Sequence, residues 1–174
     1  MDDLGPTTTT GPAEWLAGVP DVASRLRREP PDRVLVVGCG DGRDAIAVAL
    51  EFPTTTVYGV DTHAAAVEAA SATALGSRAR DRLLFWRGDP LHPRMPGGAD
   101  VVVAVGLLTD PARADKPGVM TLLIALAGLT APRGLVVLDS PVPLVASTAV
   151  AAGFVSVEQV GESVHGCPAY LLRR

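Results

Sequence analysis

The stretch Val34-Leu-Val-Val-Gly-Cys-Gly-Asp-Gly-Arg-Asp-Ala45 decides how the rest of the chain is read. Residues 34–37 form an unbroken aliphatic run, the mark of a parallel strand covered on both faces. Glycines follow at 38, 40 and 42. Glycine tolerates positive φ and lets a ligand approach bare backbone, so the run predicts strand, glycine turn, helix. Asp41 is placed to cap that helix, with Asp44 three residues on completing an acidic capping pattern. The dinucleotide fingerprint G-x-G-x-x-G is not met, because the third glycine comes one residue early and Arg43 stands in its place. A pyrophosphate also favours a naked helix N-terminus, and Asp41 and Asp44 oppose it. A ligand without phosphate and with a cationic centre fits better, which argues against a nicotinamide-dependent oxidoreductase.

Two further anchors follow. The run Thr56-Val-Tyr-Gly-Val-Asp61 reads as a short strand ending in a carboxylate, 23 residues after Gly38. That spacing holds one helix and a return strand, and a carboxylate there can accept hydrogen bonds from both ribose hydroxyls. The run Leu83-Leu-Phe-Trp-Arg-Gly-Asp89 reads as a third strand followed by Gly88 and Asp89. Together the three anchors resemble the class I S-adenosylmethionine-dependent methyltransferases, small-molecule type, over residues 32 to about 172. The resemblance implies S-adenosyl-L-methionine as cofactor and S-adenosyl-L-homocysteine as product. It implies cofactor contacts from Gly38, Cys39, Gly40, Asp41 and Gly42, from Asp61 and Thr62, from Gly88, Asp89 and Pro90, and from Val105, with Asp89 on the adenine amino group. The chain departs from the family pattern at Val36, where Asp or Glu is usual.

In chain order, residues 1–12 read as a flexible tail and 13–174 as one domain, with a short helical cap at 13–29 and a core from 32. The cap packs beside the sheet or covers part of the cofactor, with Trp15 as the residue that would touch ligand. Pro30 and Pro31 end it. Strands are expected at 33–38, 56–60, 82–87, 99–105 and 134–138, alternating with helices at 42–52, 63–75, 118–129 and 143–152. Such alternation predicts a parallel sheet with right-handed crossovers. Two last strands, 154–160 and 169–173, are joined by a turn at 161–168. The fold expected is an α/β three-layer Rossmann-like sandwich: a seven-stranded, mostly parallel sheet ending in an antiparallel hairpin.

Ligands of open α/β sheets sit at the carboxyl ends of the strands. If the acceptor starts protonated a general base is needed, and His92 and His165 are the candidates, because imidazole titrates near neutrality. His63, next to Asp61, caps its helix or edges the adenosine pocket. Leu107 and Leu108 are an apolar floor for the acceptor or part of the core. Asp110 and Asp139 follow strands four and five, but metal-dependent enzymes of this family that act on catechols carry Asp-Asn after strand five. Here the pair is Asp139-Ser140, so no metal is expected.

Composition bounds the partners. The chain has 174 residues, 48% of them hydrophobic and only 4% aromatic, with net charge −4. Without a basic run or aromatic platforms, nucleic acid is not an expected partner. No apolar stretch is long enough for a membrane span, and two separated cysteines suit a reduced, cytoplasmic setting. A homodimer is compatible with the apolar fraction. The expected activity is methyl transfer to oxygen, nitrogen or carbon of a small, mostly neutral acceptor. The alternative expectation, resting on Val36, the thin cap and the lack of a lid, is a non-catalytic S-adenosylmethionine-binding or scaffold member of the same fold.

Overall fold

The computed structural model describes Leu16 and residues 18–91, 97–108, 116–163 and 165–174. The expected tail, Trp15, His92 and Asp110 lie outside the described residues. Seven strands form one sheet: β1 (Arg33–Val37), β2 (Thr56–Asp61), β3 (Leu83–Arg87), β4 (Ala99–Ala104), β5 (Thr130–Asp139), β6 (Ser156–Glu162) and β7 (Pro168–Arg173). The helices are α1 (Pro20–Arg28), α2 (Arg43–Glu51), α3 (Ala64–Leu75), α4 (Lys116–Leu129) and α5 (Ala146–Ala151). Strand order is β3-β2-β1-β4-β5-β7-β6. The first five strands are parallel, and β7 runs antiparallel to both β5 and β6. This is the expected Rossmann-like sheet with a terminal hairpin.

Side chains of β1 alternate between two cores, because successive residues of a strand point to opposite faces. Val34 and Val36 join Val22, Leu26, Val48 and Phe52 on one face. Leu35 and Val37 join Leu122, Leu123 and Leu126 of α4 on the other. The same alternation runs through Val101 and Val103 against Val102 and Ala104. Both faces are therefore covered, which explains the uninterrupted aliphatic runs. Leu16, Val19 and the inner face of α1 belong to the first core, so this segment packs on the sheet. Gly18 lies so close to β6 that a Cβ there would meet the Glu162 carbonyl oxygen at 2.3 Å.

Element limits moved where local geometry intervened. The fifth strand begins at Thr130 rather than 134, because α4 ends at Leu129 and the chain enters the sheet at once. The pairing with β4 then slips between Ala99 and Val101, across a turn where Arg133 takes φ +67°. Asp41 does not occupy the N-cap position of α2, but its Oδ1 accepts the backbone N–H of Arg43, the first residue of the helix, at 3.3 Å. The N-cap is Gly42 at φ +81°, and the other Asp41 oxygen, Oδ2, pairs with the Arg43 side chain at 2.8 Å.

The chain runs outward from β1 to β3 and then returns to place β4 on the other side of β1. That reversal opens a crevice at the carboxyl ends of β1 and β4, the usual ligand position in such sheets.

Candidate functional site

A cavity of about 150 Å³ opens at this crevice, lined by Val37, Gly38, Val60, Asp61, Thr62, His63, Gly88, Pro90 and Leu107. Four strand ends contribute to it. The glycine turn reaches it through Gly38, held at φ +71°. A Cβ on Gly38 would stand 2.8 Å from Leu107 Cδ2, so only glycine lets Leu107 close over the turn.

The amides of the turn are directed inward. Gly38 and Cys39 donate to the Val60 carbonyl at 2.8 and 3.0 Å, and Gly42 donates to the Cys39 carbonyl at 2.9 Å. Gly40 donates to Asp61 Oδ2 at 3.1 Å. A phosphate-binding turn directs such groups at its ligand; this one spends them on the neighbouring strand β2, on its own Cys39 carbonyl and on Asp61. That is a structural reason, beyond the glycine spacing, to set a pyrophosphate aside.

Asp61 joins the cavity wall to the turn. Its Oδ1 accepts the His63 backbone N–H at 2.9 Å and lies 3.0 Å from His63 Nδ1. Burial pushes the Asp61 carboxyl up, but the bonds from His63 and from the Gly40 N–H outweigh it and hold the group below the ordinary carboxylate range. Asp61 is thus an ionised acceptor whose side chain is only 12% exposed. His63 stands at the N-cap of α3 without a side-chain cap bond.

Cys39 is buried, and its sulfur would lie 3.1 Å from a Cβ on Gly59. It therefore faces the core, where burial and then the Asp61 charge push its thiol up to about 12. Asp41 is exposed beside Arg43. Neither side chain, nor Gly40 or Gly42, lines the cavity. Asp89 accepts the Leu91 N–H at 2.9 Å, between the lining residues Gly88 and Pro90. Val105 packs against the first core, whereas Leu107 lines the cavity and Leu108 is fully buried.

His165 stands at the same end of the sheet, in the turn between β6 and β7. Its Nε2 would lie 3.0 Å from a Cβ on Gly106, so the ring sits on the bare Cα of the residue preceding Leu107. Asp139 and Ser163, which spacing did not assign to the cofactor, also gather here.

A larger groove of about 570 Å³ lies beside α4 and α5, lined by Val119, Met120, residues 142–145, Ser147 and Thr148. It carries no charged side chain. The smaller cavity is the one at the topological reversal, and the candidate site is placed there on that ground.

The sheet order, the reversal and the terminal antiparallel hairpin define a Rossmann-like α/β protein of the methyltransferase type. The family model described as a methyltransferase domain matches residues 35–136. The chain belongs to this methyltransferase family. It is 34% identical over 130 residues to a trans-aconitate 2-methyltransferase of Methylobacterium radiotolerans, an alignment covering 74% of this chain and 43% of that protein. Among solved structures it resembles a putative O-methyltransferase of Nostoc punctiforme, with TM-score 0.73, 18% identity, 88% of this chain and 54% of that one. It also resembles an O-methyltransferase family protein of Burkholderia thailandensis, with TM-score 0.70, 19% identity and the same two coverages, 88% and 54%. The chain thus spans about half the length of the relatives it matches.

Proposed function

We propose that the chain binds S-adenosyl-L-methionine at the cavity and transfers its methyl group to a neutral small-molecule acceptor. The observation that carries this reading is the ionised Asp61 carboxylate in the wall of a cavity whose glycine turn offers no phosphate nest. The donor set fits an adenosyl ligand: a carboxylate for ribose hydroxyls at the end of β2, bare glycine backbone at the end of β1, and Gly88, Asp89 and Pro90 at the end of β3. At about 150 Å³ the cavity is smaller than ordinary ligand pockets of 300 Å³ and more. Leu107, whose Cδ2 lies over the bare Cα of Gly38, is the apolar side chain in the wall that a larger ligand would displace.

The bound cofactor supplies a methyl group on a sulfonium, a leaving group that is already cationic. The chain's task is to align the acceptor and exclude water. Asp61 accepts hydrogen bonds from the ribose, with Thr62 beside it, and Asp89 accepts one from the adenine amino group. Gly38, Cys39, Gly40, Asp41 and Gly42 supply the backbone path along the cofactor, and Val105 supports the wall at β4. His165, on the β4 side, takes the acceptor proton where there is one to take; His92 is the second candidate base.

The net charge of −4 disfavours anionic acceptors and nucleic acid. No described helix is long and apolar enough to cross a membrane. Cys39 and Cys167 are free thiols, which suits the reducing cytoplasm. Exposed Ile124, Val150 and Val155 leave room for a homodimer, read by size-exclusion chromatography with light scattering.

Calorimetric titration with S-adenosylmethionine, S-adenosylhomocysteine and NAD tests the reading. Binding of both adenosyl ligands and not NAD is expected; absence of adenosyl binding refutes it. A panel of neutral hydroxylated aromatics, with trans-aconitate as the anionic comparison, then tests the acceptor class. Methylation of trans-aconitate alone would overturn the neutral assignment.

A further inference from the structure

Three strand ends meet on one buried carboxylate. Asp139 closes β5 and is fully buried. Its Oδ1 accepts the N–H of Gly106 at 2.7 Å, and its Oδ2 accepts the hydroxyl of Ser163 at 2.7 Å. Gly106 follows β4 and precedes Leu107, part of the cavity wall. Ser163 follows β6, and its Oγ accepts the N–H of His165 at 3.2 Å. The far side of the arrangement is closed by the His165 ring itself, resting on Gly106. Gly106 is held at φ +82°, so it has both the conformation and the bare surface that this contact needs.

A buried carboxylate is costly unless its lone pairs are engaged. None of the ion pairs among the described residues involves Asp139. Its charge is met by an N–H and an O–H dipole from two different loops. The backbone pairing to β4 and β7 holds β5 in the sheet. What the carboxylate adds is a defined distance between the β4 turn and the β6–β7 turn.

We propose that Asp139 is a positioning residue: through Gly106 and Ser163 it holds the His165 ring against the β4 wall of the cavity. The consequence for methyl transfer rests on the reading of His165 as the base; the placement itself does not. Asp139 touches neither cofactor nor acceptor in this scheme. Its two arms are separable. The Ser163 arm sets the hairpin and the ring, and the Gly106 arm sets the wall next to Leu107.

The test uses the full chain, NMR of its histidine ring resonances assigned by His165→Ala, and S-adenosylhomocysteine as the ligand probe. The ring is followed across a pH titration, with Asp139, Glu162, whose Oε1 lies 3.7 Å from a Cβ built on Gly166, and Cys167, whose sulfur lies 3.9 Å from the His165 carbonyl, as the neighbouring titratable groups. Ser163→Ala is expected to move the His165 ring resonances toward those of a free histidine and to leave the affinity for S-adenosylhomocysteine within twofold. Asp139→Asn should restore the wild-type ring signature, because its amide can accept from Gly106 and donate to Ser163 Oγ. Asp139→Ala should lose the ring signature and weaken S-adenosylhomocysteine at least fivefold through the Gly106 arm. If Asp139→Ala does not fold, Ser163→Ala against Asp139→Asn decides. A His165 ring in Ser163→Ala indistinguishable from wild type overturns the proposal, whatever the other variants do. If the wild-type chain does not bind S-adenosylhomocysteine, the methyl-transfer reading fails, while the ring resonances still judge the placement.

Discussion

Gly40 and Gly42 both hold positive φ, +52° and +81°, yet their surroundings differ, and replacing each by alanine separates backbone strain from crowding. A Cβ on Gly42 would stand 2.8 Å from Ala70 Cβ, 3.1 Å from Ala70 Cα and 3.1 Å from Phe85 Cζ. Ala70 belongs to α3 and is fully buried, so it cannot swing aside. The left-handed conformation costs a non-glycine residue about 1–2 kcal/mol, and overpacking adds about 1–3 kcal/mol. Gly42→Ala should therefore lose about 2–5 kcal/mol. At about 2–4 °C per kcal/mol for a chain of this size, the melting temperature should fall by roughly 10 °C. Around Gly40 a Cβ meets nothing within 4 Å. Gly40→Ala should lose only the φ cost of about 1–2 kcal/mol, roughly 2–8 °C. Because that open space lies on the turn assigned to the cofactor, Gly40→Ala should nonetheless weaken S-adenosylhomocysteine more than Gly42→Ala does, each measured on the folded fraction. Urea unfolding and thermal melts read the first comparison, and calorimetry the second. Equal losses of stability in the two variants would refute the account, since they would show that contact of α2's N-cap with α3 contributes nothing beyond the φ cost.

The Arg82 guanidinium donates to the carbonyls of Ala49, Phe52 and Thr55 at 2.7, 3.1 and 2.9 Å, closing the C-terminus of α2. Arg82→Ala should cost about 2–4 kcal/mol, read as a lower urea midpoint at unchanged slope; a midpoint equal to wild type would count against it. With its thiol pushed up to about 12, Cys39 should stay unreacted with iodoacetamide at pH 8 in the native state, while the partly exposed Cys167 is labelled; peptide mass mapping decides. The folded-state pKa of Asp61 is lowered, so the stability it confers is present above its unfolded value of about 3.9 and is lost as pH falls through the folded one. Asp61→Asn should be destabilised at pH 7 and lose less stability than wild type below about pH 4. Parallel acid limbs for the two proteins would contradict the assignment.

The parts of this protein that local rules govern were legible in the sequence. Residues 34–37 had to be a doubly covered strand, because four consecutive aliphatic side chains must point to both faces, and they do. Glycine spacing and the acidic helix start separated this turn from a dinucleotide turn, and Asp61 reached the cavity because a strand of fixed rise carries its last residue to the sheet's carboxyl edge. Tertiary structure decided what depends on groups far apart in the chain. Gly42, at positive φ, took the N-cap position of α2, while Asp41 one residue earlier accepts the Arg43 N–H and pairs with its guanidinium. Cys39 turned into the core and Val105 packed beneath the sheet, so that Leu107 lines the cavity, because pleating assigns each position a face only once the register is set. Asp139, Gly106, Ser163 and His165 span 60 residues of chain and carry no common local pattern. They meet because β7 folds back antiparallel beside β5 and brings the β6–β7 turn over the end of β4. Periodicity and glycine placement are read within one turn or strand; that meeting is a property of the assembled sheet.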